Sequence, residues 1–159
     1  MLGVGILIFV ALGTQDKKFP RLLEAVNKLE TNEKIVAQVG STKFESKKME
    51  IHKYLTPEEY DKYLNEASVV ITHAGVGTIL NCIKLHKKVI VAAREKQYKE
   101  HVNDHQKQIQ ENFATAGYIL PLYDFNDLEK LIKQDFVPKS FESNREKFNE
   151  LLEKKINEK

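Results

Sequence analysis

The run Ser68-Val-Val-Ile-Thr-His-Ala-Gly-Val-Gly-Thr-Ile-Leu-Asn-Cys82 constrains the fold more than any other part of the chain. Four β-prone residues, Val69 to Thr72, lead into a turn holding Gly75 and Gly77, and an apolar helical pattern opens at Thr78. A strand that feeds a helix through a bare turn is the repeating unit of α/β proteins with parallel sheets. The start of such a helix leaves N–H groups without partners and holds roughly half a positive charge. Glycines there remove the side chains that would keep a phosphate away. The same Gly-x-Gly also serves simply to reverse the chain tightly. It does not match the dinucleotide pattern Gly-x-Gly-x-x-Gly, since Leu80 stands at the third glycine position, and no Gly-Lys-Ser/Thr of a P-loop occurs.

Strand and helix signals alternate along the rest of the chain. Ile6 to Leu12 reads as a buried strand, closed by Gly13-Thr14-Gln15-Asp16. Phe19, Leu22, Leu23, Val26 and Leu29 then fall at helical spacing. Ile35 to Val39 and Met49 to His52 are strands, and Thr56-Pro-Glu-Glu59 has the threonine, proline and glutamate of a capped helix start. A helix from Thr78 to about Leu85 leads to a strand, Lys88 to Ala93. Next come a helix from about His101 to Ala116, a short strand from Tyr118 to Leu122 and a helix capped by Asn126-Asp-Leu-Glu129. Residues 140–159 read as a charged amphipathic helix, with Phe141, Phe148, Leu151, Leu152 and Ile156 as its apolar stripe. That stripe suits either docking to a partner or packing on the chain's own sheet. This order predicts an α/β fold, a mostly parallel sheet with helices on both faces, whose ligands bind outside the carboxyl ends of the strands.

With 159 residues, 42% of them hydrophobic, the expectation is one domain, residues 1–159. The 25 basic residues against 23 acidic ones leave a formal charge of +2, which gives no indication of a nucleic-acid partner. A lone cysteine, Cys82, forms no internal disulfide and fits a reducing compartment as a small buried hydrophobe. The apolar stretch Met1 to Leu12 is shorter than the ~20 residues that span a bilayer and lacks a basic leader, so the expected location is the cytoplasm.

A second polar cluster follows the strand ending at Ala93. Glu100, Asn103, Asp104, His105 and Gln106 bring carboxylates, amides and an imidazole to the start of a helix, the donors and acceptors that sugar hydroxyls demand. They equally suit a solvated helix start. His101 and His105 stand four apart, as in a zinc hydrolase, but the position of the glutamate in His-Glu-x-x-His is Val102, and no third ligand follows. No metal site is expected.

Three motifs in order, Ile8-Phe-Val-Ala-Leu-Gly-Thr-Gln15, Ile71-Thr-His-Ala-Gly-Val-Gly-Thr78 and Glu100-His-Val-Asn-Asp-His-Gln106, give the chain a resemblance to a known family. It resembles the C-terminal, donor-binding half of family 28 glycosyltransferases of the GT-B fold, with a Rossmann-like sheet. The match is to small single-domain members of exopolysaccharide and capsule synthesis, relatives of the donor-binding subunit of the dolichol-linked N-acetylglucosamine transferase. The resemblance spans residues 6–135. It implies a UDP-sugar donor whose diphosphate sits on Gly75, Val76, Gly77 and Thr78, next to His73. Asn81 stands where many relatives place an acidic ribose contact, and Glu100, Asn103, Asp104, His105 and Gln106 fall in the motif that faces the donor sugar. Gly13, Thr14 and Gln15 match the loop that faces the cleft between the two halves.

The activity so implied is an inverting, metal-independent transfer of a hexose to a lipid-linked acceptor in exopolysaccharide or capsule synthesis, with no cofactor. A membrane-associated glycosyltransferase partner would supply the missing half and recruit the chain to the inner face of the membrane. No catalytic residue is assigned. The alternative is a non-catalytic accessory subunit that binds or stabilises a transferase. The preoriented amides of a helix start suit the departure of a diphosphate, because they stabilise negative charge where it develops.

Overall fold

The computed structural model describes residues 6–14 and 16–140. Gln15 and the C-terminal stretch 141–159, where the sequence predicts an amphipathic helix, lie outside the described residues.

Six strands form one parallel sheet: β1 (Leu7–Ala11), β2 (Lys34–Gln38), β3 (Met49–His52), β4 (Val69–His73), β5 (Lys88–Ala92) and β6 (Leu120–Leu122). Their spatial order is β3-β2-β1-β4-β5-β6, and every neighbouring pair is parallel. Parallel neighbours need long crossovers, and the helices supply them: α1 (Pro20–Asn27), α2 (Pro57–Glu66), α3 (Val76–Lys84), α4 (His105–Thr115) and α5 (Leu128–Lys133).

Alternation along β1 shows how the sheet is covered on both sides. Leu7, Phe9 and Ala11 point into a core with Ile79, Cys82, Ile83 and Phe113, from α3 and α4. Ile8 and Val10 point the other way, onto Leu22, Leu23 and Val26 of α1 and Leu128 of α5. A strand buried on both faces is mostly apolar, which is why β1 reads as an unbroken hydrophobic run and β4 as Val69-Val-Ile before its buried polar end, Thr72 and His73.

The strand order reverses between β1 and β4, which pair directly. Chains leaving these two strands diverge to opposite faces and open a crevice at their carboxyl ends. Across it the Thr72 hydroxyl donates to the Ala11 carbonyl at 2.6 Å, tying the strand ends together. The two glycine turns therefore meet here: Gly13 follows β1 and Gly75 follows β4.

Several expected elements differ. The helix predicted from Thr78 begins at Val76, which puts Gly77 inside α3, and the strand predicted from Tyr118 begins at Leu120. The helix predicted from His101 begins at His105; residues 101–104 form bends, with Asp104 accepting from the Lys96 amide and Asn103 from the His105 amide. The cap expected at Asn126 is Asp124, whose side chain accepts from the Asn126 amide in a 3₁₀ turn before α5. The capping box at Thr56 and Glu59 is present as predicted.

Candidate nucleotide-sugar site at the sheet switch point

The helix start after β4 is bare. Gly75 is the N-cap of α3 and no side chain caps the helix. The first intrahelical bond runs from the Ile79 amide to the Gly75 carbonyl, 3.1 Å. The amides of Val76, Gly77 and Thr78 precede it and have no intrahelical acceptor. A Cβ built on Gly77 would meet nothing within 4 Å, so the first turn opens onto free space. Gly75 is different: a Cβ there would overlap the His73 ring. Gly13 has φ +83°, and a Cβ on it would lie 2.8 Å from Nε2 of the same ring. Both glycines are required by the imidazole packed between them, which the glycine pattern alone does not reveal.

His73 is buried at the end of β4. Its Nδ1 lies 2.9 Å from Nη1 of Arg94 and 3.4 Å from Nε2 of Gln106. A guanidinium can only donate, so Nδ1 is the acceptor and the neutral ring bears its proton on Nε2. Burial, reinforced by Arg94 and His101, pushes the His73 pKa down to about 3. The ring is thus a neutral donor between the two glycine turns at any physiological pH.

Arg94, the first residue after Ala93, is 1% exposed. Nη2 donates to the carbonyls of Leu12 (3.2 Å) and Lys17 (2.9 Å), bracketing the β1–α1 loop that contains Gly13 and Thr14. The sequence gives Arg94 no distinguishing mark among 25 basic residues; only its position directly after a buried strand hinted at a role.

In the polar cluster after β5, Glu100 and Gln106 are buried, Asn103 is half-buried, and Asp104 and His105 are exposed. The Glu100 carboxylate accepts from Arg21 Nε at 2.9 Å and Nη2 at 2.8 Å, and from the Glu95 amide at 3.0 Å. Asp104 accepts from the Lys96 amide, Asn103 from the His105 amide, and Gln106 Oε1 from the Arg94 amide, each near 3 Å. These side chains build the loop. His105 is exposed at the first position of α4, and Asn81 is exposed on α3. His101 lies before α4, its Nε2 against Lys17 Nζ at 2.9 Å, so the two histidines do not share a helix. Among the described residues no group of three or more His, Cys, Asp or Glu could hold a metal ion.

The architecture is that of the GT-B glycosyltransferases. A glycotransferase of kitacinnamycin superposes with a TM-score of 0.59 at 19% identity, covering 83% of this chain and 35% of the other. The NMR solution structure of ALG13 gives 0.57 at 18% identity, covering 93% of this chain and 94% of that one. At these identities the likeness establishes the fold, a Rossmann-like α/β sheet. The chain belongs to the glycosyltransferase family 28 C-terminal domain family, which matches residues 7–158.

Among curated proteins, the UDP-N-acetylglucosamine transferase subunit ALG13 of Candida glabrata is 38% identical over 91 residues, 54% of this chain and 42% of that protein. The match thus spans less than half the length of this relative. Such relatives overturn the expectation of a catalytic subunit transferring a hexose in exopolysaccharide or capsule synthesis: they are named for N-acetylglucosamine transfer, and as subunits. The accessory alternative fits them better. No helix among the described residues is long and apolar enough to cross a membrane.

Proposed function

We propose that this chain is a partner-dependent subunit of a UDP-N-acetylglucosamine transferase, holding the nucleotide-sugar donor at the switch point of its sheet. The observation that supports this most directly is the uncapped start of α3, whose first three amides have no intrahelical acceptor and whose Gly77 has open space at its Cβ position, near the neutral Nε2–H of His73. Backbone amides at a helix start and one fixed neutral donor suit a diphosphate, with the helix field adding to both. Gly13 and Thr14 border the same crevice from β1, and His105 and Asn81 are the exposed polar side chains left for the sugar and ribose.

The acceptor, taken to be lipid-linked, would be presented by the partner, which would also hold this subunit at the membrane. Glu100 is held by Arg21 of α1 and Asp104 by the Lys96 amide, so neither serves as the base for the acceptor hydroxyl. Deprotonation is assigned to the partner, and the subunit alone is expected to bind donor without turning it over.

Titration of the purified chain with uridine diphosphate, followed by backbone NMR, tests this reading. Shifts centred on residues 75–78 and His73 are expected. A chain that binds a partner yet shows no shift at millimolar ligand would leave a purely stabilising, accessory subunit.

A further inference from the structure

Among the described residues Arg94 is a buried cation with no anion in ion-pair contact, and Glu100 acts on it only through space. Arg94 is 1% exposed, it joins none of the ion pairs among the described residues, and its Nε has no hydrogen-bond partner. Its acceptors are the His73 imidazole and the carbonyls of Leu12 and Lys17, all of them neutral. The acid closest in the chain, Glu95, pairs with Arg21 and Lys107, and Glu100 is held twice by Arg21. Phe19 packs its ring under the guanidinium at 5.2 Å. A charge removed from water without an opposite charge weakens the fold. Apolar side chains of similar length could fill the site without that penalty.

We propose that Arg94 is a positioning residue for the ligand's diphosphate: it fixes His73 as the Nε2–H tautomer, and the bound diphosphate serves as its missing counter-charge. The inference rests on the reading of the crevice as the donor site. Through Nη1 the guanidinium reserves Nδ1 as an acceptor and leaves Nε2–H as the donor between the glycine turns. Through Nη2 it holds the two ends of the β1–α1 loop at residues 12 and 17. One side chain therefore sets the donor atom, the loop that borders it and the sign of the local field. A ligand of charge −2 or −3 converts an unfavourable buried cation into a paired one, which couples folding stability to occupancy.

The experiment uses the full chain in three forms, wild type, Arg94→Met and Arg94→Lys. Ring ¹⁵N spectra of the empty wild type should show His73 protonated at Nε2, with Nδ1 bare. Arg94→Met should lose that tautomer and bind uridine diphosphate about tenfold to a hundredfold more weakly, the effect of losing a charged hydrogen-bonding partner. Arg94→Lys, which keeps the charge but not the fork, should recover part of the affinity and not the tautomer. Saturating uridine diphosphate should raise the melting temperature of the wild type more than that of Arg94→Met. Wild-type affinity in a folded Arg94→Met overturns the proposal. So does an Nδ1-protonated His73 in the empty wild type, a measurement that stands even if Arg94→Met does not fold. A wild type that shows the Nε2–H tautomer but is blind to uridine diphosphate and to pyrophosphate overturns the donor reading and the counter-charge, while leaving the Arg94–His73 geometry established.

Discussion

The backbone of Gly75 runs so close to the imidazole of His73 that the smallest side chain on it would overlap the ring. Gly77, two residues on, has open space where its Cβ would be. The two glycines of one short motif thus serve different ends, and substitution separates them. Gly75→Ala forces the ring or the turn to move and should cost about 1–3 kcal/mol, a typical overpacking penalty. Gly77→Ala should leave stability unchanged or raise it slightly, since alanine favours a helix over glycine by up to ~1 kcal/mol. Its methyl group intrudes where a phosphate would approach the amides, so uridine diphosphate affinity should fall. Urea denaturation and ligand titration of the two variants check this; equal behaviour in both assays would reject the division of roles.

Arg21 clamps the loop after β5 onto α1. Its guanidinium lies 4.0 Å from the ring centres of both Tyr98 and Phe125 and grips Glu100 with two nitrogens. Removing it leaves the Glu100 carboxylate, whose side chain is 5% exposed, with only the Glu95 amide. Arg21→Ala should destabilise the chain by about 2–3 kcal/mol, within the range for breaking a partly buried charged pair. Amide exchange should quicken mainly at residues 95–104. Retention of wild-type protection there would show the clamp to be idle.

Acid should weaken the fold through His73. Its pKa is pushed down to about 3, against an ordinary 6.5. Between those values the unfolded chain binds a proton that the folded one refuses, so stability falls as pH drops from about 6.5 towards 3. Burial depresses His101 as well, in the same direction. His73→Gln should therefore show a shallower loss of stability between pH 7 and pH 4 than wild type, measured as the shift in urea midpoint. An identical slope would mean that His73 ionises normally.

Burial pushes the Cys82 thiol up to about 12. Between its ordinary value of 9.0 and 12 only the unfolded chain releases the proton, so stability should decline as pH rises through that interval. The thiolate is the reactive form, and Cys82 is 0% exposed. Alkylation at pH 8 should proceed only as fast as the fold opens, and should accelerate with urea in step with unfolding. Rapid labelling of the native chain would contradict the buried assignment.

Local sequence specified the elements. Apolar β-branched runs named β1, β4 and β5, helical periodicity named α1, and Thr56-Pro-Glu-Glu59 named the start of α2. These signals are short-range, arising from backbone preferences and one-sided burial, so they survive in the linear chain. Their alternation was enough to announce a parallel sheet with ligand loops at its carboxyl edge. The uncapped turn at residues 75–78 was legible too, because glycine leaves a mark in the sequence.

Tertiary contact decided what those loops do. Nothing near Arg94 in sequence says that it reaches Leu12, Lys17 and His73, because those partners lie 21 to 82 residues away and meet only once β1, β4 and β5 stand side by side. Glu100 and Gln106 looked like ligands for a sugar, and folding turned both inward, onto Arg21 and the Arg94 amide. A polar side chain's partner is set by three-dimensional proximity and by the cost of leaving buried groups unpaired. The sequence alone determined the layout of strands, turns and helices; the packed sheet determined which of its polar groups remain free to meet a ligand.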